Sequence, residues 1–129
     1  MIDHLDHIVL TTRDLKGCVR FYRDVLGMKF SDFDTPQGKR MALGFGAQKI
    51  NIHEWGREFT PRAHVAAPGT LDLCFIASVP LDEVIAKLKA SGIAIIEGPV
   101  MKTGATGPIR SVYVRDPDLN LVEISVPAA

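Results

Sequence analysis

The sequence predicts an α+β chain of two β-α-β-β-β modules in tandem, with curved mixed sheets that, from one chain or two, close around a shared cleft. Three observations predict it. A short branched-apolar run leads into a helical period twice. Sliding the chain along itself places Gly27 on Gly92 and His7 on Asp72, and Asn51 on Glu123 after a slightly longer loop. A segment carrying Pro61 and Pro68 separates the two patterns.

The elements follow in order. Leu5–Thr12 is too short for a helix and rich in branched residues, so it reads as a strand. Leu15, Cys18, Val19, Tyr22, Val25 and Leu26 recur at helical spacing, with Asp14 at the start and Gly27 past the end. Met28–Asp32, Arg40–Phe45 and Lys49–His53 are strand candidates punctuated by Gly38 and Gly46. Residues 57–68 form the linker between half-modules 1–56 and 69–127, within one domain covering 1–129. Thr70–Ile76 reads as a buried strand. Leu81, Val84, Ile85 and Leu88 define a helix opened by Pro80 and closed by Gly92. Ile93–Ile96, Ser111–Arg115 and Asn120–Ser125 complete the second set of strands. Lys102–Arg110 reads as a glycine- and threonine-rich loop, ordinary by default, with an anion cradle as the functional alternative.

Composition narrows the function classes. Lys and Arg together equal Asp and Glu, so net charge is zero. That removes the electrostatic case for nucleic acid or an anionic membrane. No apolar run approaches the roughly 20 residues of a membrane span. The N-terminus shows no export signal, and Cys18 and Cys74 sit in apolar patterns as reduced core residues. The expected setting is cytoplasmic.

Polar residues inside apolar strands are the candidates for function, because a buried charge is costly unless paired or bound to a cation. His7, Asp72 and Glu123 are such residues, with Asn51 and His53 on one face of their own strand. Imidazole plus carboxylates is a reasonable shell for a divalent ion: Mn, Ni, Zn or Mg. Singly, each has a plainer reading: a structural histidine, an outward glutamate, an aspartate paired with arginine. Only the matched placement lifts the metal reading above these. Trp55 and Phe59 are candidates for an apolar wall, Phe45 for packing. Arg62 and His64 read as solvated.

At these residues the chain resembles a family, the vicinal oxygen chelate superfamily of glyoxalase I, fosfomycin and bleomycin resistance proteins and extradiol dioxygenases. Leu5-Asp-His-Ile-Val-Leu running into Phe21-Tyr-Arg-Asp-Val-Leu-Gly27 carries the resemblance, with Gly69-Thr-Leu-Asp-Leu-Cys-Phe75 and Tyr113-Val-Arg-Asp-Pro-Asp-Leu-Asn-Leu-Val-Glu123. Lys49-Ile-Asn-Ile-His-Glu54, Gly56-Arg-Glu-Phe-Thr-Pro61, Glu97-Gly-Pro-Val100 and Thr103-Gly-Ala-Thr-Gly-Pro-Ile109 resemble a subgroup of glyoxalase domain-containing proteins.

The resemblance implies a glyoxalase-like fold, a homodimer, a small-molecule substrate and a divalent metal that chelates vicinal substrate oxygens. It puts His7 and Glu123 at the first-strand and last-strand ligand positions. Asp72 stands where resistance enzymes and dioxygenases carry histidine. Asn51 and His53 stand near the position of the glyoxalase glutamate, and Leu119 where the family places glycine. His7, Asp72, Glu123 and His53 are therefore the metal candidates, and His53 and Glu123 the catalytic ones, with Glu54 a weaker proton carrier. A lyase, isomerase or transferase is the first expectation. A metal-free binding protein of the bleomycin-resistance kind and an extradiol-type dioxygenase are the alternatives.

Overall fold

Each of the two modules builds its own four-stranded mixed sheet with one helix against it. A computed structural model describes residues 1–128. The chain divides at Thr70 into two compact units. The first has strand order β1-β4-β3-β2, from β1 (His7–Thr12), β2 (Lys29–Thr35), β3 (Gly38–Phe45) and β4 (Gln48–Glu54). The second has order β5-β8-β7-β6, from β5 (Asp72–Ile76), β6 (Glu97–Gly104), β7 (Gly107–Arg115) and β8 (Leu121–Pro127). In both, the outer first strand runs parallel to the last strand and the remaining pairs are antiparallel. The tandem β-α-β-β-β pattern is thus the observed architecture.

The helices form where the apolar spacing places them. Asp14 caps α1 (Leu15–Val19) by accepting from the Gly17 N–H at 3.0 Å. A Cβ on Gly17 would lie 2.2 Å from the same carboxylate. The helix runs on as a π-helical stretch, Arg20–Val25, where the expectation was regular α-helix. The Leu26 N–H donates to the Phe21 carbonyl five residues back. The adjacent aromatics Phe21 and Tyr22 are both buried and pack edge to face at 4.8 Å. In the second unit, α2 (Leu81–Ala90) buries Leu81, Val84 and Leu88 and ends before Gly92 at φ +73°.

Strand alternation sorts the faces. Leu10, Met41, Leu43, Ile50 and Ile52 are buried in the first unit; Val112, Val114, Val122 and Ile124 are buried in the second. The opposite face of the first sheet carries His7, Val9 and Thr11 in register with Lys49, Asn51 and His53. That of the second carries Asp72, Cys74 and Ile76 in register with Leu121, Glu123 and Ser125.

Three expectations are corrected. Ile93–Ile96 is not a strand; β6 begins at Glu97, and only the Ile96 N–H reaches the ladder, donating to the Tyr113 carbonyl at 2.8 Å. The register shifts between Glu97 and Val100, where a Cβ on Gly98 would lie 2.4 Å from the Ser111 carbonyl oxygen. Second, Lys102–Arg110 is a hairpin, not a loop. Lys102 pairs with Ile109 and Gly104 with Gly107 around a two-residue turn. This segment is built as a ladder and not as an anion cradle. Third, Cys18 is buried as expected, but Cys74 is exposed, because strand parity turns it to the face of Glu123.

Candidate functional site

The open face of the first sheet brings His7 to the start of β1. Its imidazole is 43% exposed, and Nδ1 lies 2.8 Å from Asp6 Oδ1. This contact holds the Asp6 carboxyl below its usual pKa, so the ionised carboxylate accepts and Nδ1–H donates. The Nε2 lone pair is then the basic one, the tautomer a metal ligand needs.

The same register separates His7 from His53. His7 pairs with Lys49, and His53 pairs with Thr11. Four residues of strand put them about 13 Å apart, too far to share one ion directly. Asn51 lies between them, opposite Val9. His53 is 7% exposed, and its Nδ1 is sealed from solvent with no hydrogen-bond partner. Phe59 packs edge-on against the ring at 5.5 Å, with the Arg40 guanidinium 3.6 Å over Phe59. Burial lowers the His53 pKa; Arg40 and Arg62 add to the effect and Glu58 opposes it. So residues 57–59 of the supposed linker fold back onto the first sheet, with Glu58 accepting from the Gly56 N–H at 2.7 Å. Glu54 points to the other face and ion-pairs with Arg57 at 3.4 Å.

Trp55 is exposed and lines a hollow of about 300 Å³ with Thr12, Arg13, Leu15, Glu54 and Arg57. That hollow is not on the His7 face, so Trp55 and Phe59 do not form one wall. Arg62 and His64 are exposed, as expected.

The second sheet presents Asp72 and Glu123 at one depression of about 450 Å³, with Ile96, Glu97, Tyr113, Arg115 and Leu121. Glu123 pairs with Cys74 across the parallel ladder, and Asp72 with Leu121, so the two carboxylates are diagonal neighbours. Ser111 donates its hydroxyl proton to Glu123 Oε2 at 2.6 Å. Ser125 Oγ is 2.6 Å from Ser111 Oγ and 3.4 Å from the same carboxylate oxygen. Cys74 Sγ lies 3.5 Å from Ser125 Oγ. Burial raises the Cys74 thiol, the Ser125 contact opposes, and the charge of Glu123 adds to the rise. Tyr113 is pushed up to about 12 by burial, then by its hydrogen bond to Glu123 and that carboxylate's charge. Its hydroxyl therefore stays protonated. Lys102 Nζ sits 5.6 Å over the Tyr113 ring and 3.9 Å from Glu97.

The turn into β8 fixes this face. Asp116 Oδ1 accepts from the N–H groups of Asp118 and Asn120, both at 2.9 Å, and Oδ2 accepts from Asn120 Nδ2 at 2.8 Å. Asn120 Oδ1 in turn accepts from the Leu71 N–H at 2.9 Å, tying the entry of β5 to the turn. Leu119 adopts φ +69° where glycine was the expected residue, and Glu123 keeps its place on the strand.

Among the described residues, no three side chains of His, Cys, Asp or Glu gather into a metal-binding group. The first unit holds the His7 imidazole against Asp6, and the second holds one oxygen of the Glu123 carboxylate against Ser111. Ser111, Ser125, Tyr113 and Cys74 were not singled out from sequence. The i, i+2 spacing of Ser111 with Tyr113 and of Glu123 with Ser125 is the signal that could have found them.

The sequence profile of the Glyoxalase/Bleomycin resistance protein/Dioxygenase superfamily matches residues 4–124. The chain belongs to this superfamily. Virulence protein STM3117 of Salmonella typhimurium is 51% identical over 125 residues, covering 97% of this chain and 85% of that one. Its crystal structure matches with a TM-score of 0.90 over 99% of both chains. Glyoxalase domain-containing protein RDO1 of Mycosarcoma maydis is 49% identical over 121 residues, 94% of this chain. The chain spans 66% of the length of RDO1. Lactoylglutathione lyase from Agrobacterium tumefaciens is 26% identical, with a TM-score of 0.72 over 98% of this chain and 95% of that one. The superfamily chain described here has, among its described residues, no helix long and apolar enough to cross a membrane.

Proposed function

We propose that this protein is a metal-dependent, glyoxalase-like enzyme of the lyase, isomerase or transferase type, acting on a small molecule with vicinal oxygens. His7 and Glu123 hold a divalent ion, Asp72 is a further donor, and the working unit is a homodimer. The observation that carries the reading is that both anchors are held by neighbours in the form a ligand needs. Asp6 fixes the His7 tautomer at Nδ1, and Ser111 ties one oxygen of Glu123. The likeness to a lactoylglutathione lyase supports the reaction class.

The ion supplies Lewis acidity, polarising substrate oxygens as negative charge develops there. The chain does the rest. His7 donates through Nε2. Tyr113 keeps its proton and gives it in a hydrogen bond to Glu123, helping to hold that carboxylate in the depression. Glu123 is the carboxylate placed to accept a proton from a substrate carbon or hydroxyl. His53 is left out of the shell by its distance from His7.

Metal uptake tests this. Apo protein titrated with Ni, Zn, Mn or Mg should take up about one ion per chain. His7→Ala with Glu123→Ala should abolish uptake, and His53→Ala should leave it intact. Unchanged uptake in the double variant would sink the proposal.

A further inference from the structure

One end of the first sheet gathers a cation and an imidazole whose polar groups are unmet among the described residues. Met41 of β3 pairs with Ile52 of β4, so one residue further out Arg40 and His53 stand side by side on the open face. Phe33 of β2 pairs with Arg40 and extends the row, 65% exposed. Thr11 of β1 completes it beyond His53 and brings no charge. Among the described residues no carboxylate ion-pairs with the half-buried Arg40; its guanidinium sits over the Phe59 ring instead. His53 is more than nine-tenths buried, and its Nδ1 has no hydrogen-bond partner. Arg62 adds a second positive charge near His53, and Glu58 is the acid that opposes the two. The Glu58 carboxylate is itself taken up by the N–H groups of Gly56 and of its own residue.

A cation without a counter-charge and a sealed nitrogen without a partner are both costly to keep. One group satisfies both: a planar carboxylate, whose two oxygens match the guanidinium fork and span toward the neighbouring ring. Phe59 covers the two at present. Its ring is only half-buried, and it belongs to the stretch between β4 and β5, which has no helix or strand. A Cβ on Gly38 would lie 3.8 Å from the ring tip, so the ring rests on β3 as well as on His53. A cation–π contact at a partly exposed site is weaker than a charge-assisted double hydrogen bond, so the ring is exchangeable for an anion. From this we propose that Arg40 and His53 form a binding site for a small carboxylic acid with an apolar body, and that Phe59 is the plug its carboxylate displaces. Arg40 takes the carboxylate through its fork, His53 donates Nδ1–H to the same anion, and the apolar body lies on Phe33. The bound anion raises the imidazole's pKa, which burial, Arg40 and Arg62 otherwise hold down. The site uses neither His7 nor Glu123 and stands apart from the metal reading.

The test uses the full chain, freed of metal by a chelator, with benzoate as the probe and benzamide as its uncharged match. Benzoate should bind saturably, raise the His53 pKa read by NMR and shift the Phe59 ring signals; benzamide should do none of these. Arg40→Gln should weaken benzoate by about 10-fold or more, as loss of one partner of a charge pair does. Arg40→Lys, which keeps the charge without the fork, should fall between. Phe59→Ala should tighten benzoate about 2–5-fold, the equivalent of the cation–π contact that no longer has to be broken. Phe59→Leu, which keeps an apolar cover and guards against loss of the fold, should change it in the same direction. Phe33→Ala should weaken benzoate and leave acetate unchanged. No benzoate binding, equal binding of benzamide, or parent-like benzoate binding in Arg40→Gln would overturn the site. Weaker benzoate binding in both Phe59 variants would overturn the plug. Metal uptake by Arg40→Gln should equal the parent's, which keeps the failure of this site separate from that of the metal reading.

Discussion

Leu119→Gly should stabilise the protein, and the sign follows from three opposing terms. Leu119 sits at φ +69°, where its Cβ crowds the backbone. A left-handed conformation costs an L-residue roughly 1–2 kcal/mol, and glycine escapes that cost. Against this, glycine gives the unfolded chain more freedom, at roughly 0.5–1 kcal/mol. The side chain lost is 67% exposed, so the burial forfeited is on the order of a few tenths of a kcal/mol. The balance is about 0.5 kcal/mol in favour of glycine, or about 2 °C in Tm for a chain of this length. The Leu119 N–H donating to the Asp116 carbonyl at 2.9 Å, and the Arg115 bond to the Leu119 carbonyl at 3.3 Å, are backbone contacts that glycine keeps. Thermal and urea unfolding should be run beside Leu119→Val, which puts a branched side chain in the same conformation and should lose about 1 kcal/mol. If Leu119→Gly instead loses more than about 1 kcal/mol, the leucine is packed against something in the assembled protein, and the argument from strain is wrong.

The remaining predictions concern the turn and the buried imidazole. Asn120→Ala removes acceptor and donor contacts to Leu71 and Asp116 in a buried turn and should cost about 2–4 kcal/mol in urea unfolding; a loss below about 1 kcal/mol would mean water replaces the clamp. His53 has a pKa below the ordinary 6.5 because burial disfavours its charged form. The unfolded chain then binds the proton more readily, so this contribution is complete above 6.5 and is lost as pH falls from there through the folded value. Denaturation midpoints should drop between about pH 7 and pH 5 in the parent, and less steeply in His53→Gln; equal slopes would refute the burial argument. Phe59→Ala should move the His53 NMR titration back toward its ordinary value, since the ring is what covers it.

Much of the fold was legible because local signals and global pattern agree. Gly27 and Gly92 both have positive φ at the ends of their helical segments, where the self-match placed them. The errors share one cause: they fall where pairing, not composition, decides. Thr103-Gly-Ala-Thr-Gly107 has loop composition, yet its long-range ladder makes it a hairpin. Cys74 lies in the run Leu71-Asp-Leu-Cys-Phe75, which reads as buried on both sides; only the parity of β5 reveals that Asp72 and Cys74 share a face. Phe59 lies in a proline-flanked stretch with no period, so its place over His53 had no signal at all.

The matched positions also explain why the candidate shell differs from the one imagined from residue types. Val9 pairs with Asn51 as Cys74 pairs with Glu123, and Thr11 pairs with His53 as Ile76 pairs with Ser125. His53 is therefore the counterpart of Ser125, not of Glu123. In the second unit that register slot holds a hydroxyl that steadies the neighbouring carboxylate. In the first it holds an imidazole buried under Phe59, beside an amide that carries no charge. The register that sets His53 four residues along the strand from the partner of His7 keeps it out of the proposed shell. In the proposed reading His7 and Glu123 are the anchors, each with a neighbour that holds it. Asp72 is the counterpart of His7 and lines the depression with Glu123, so it is the donor whose removal most directly asks whether the second sheet contributes one ligand or two.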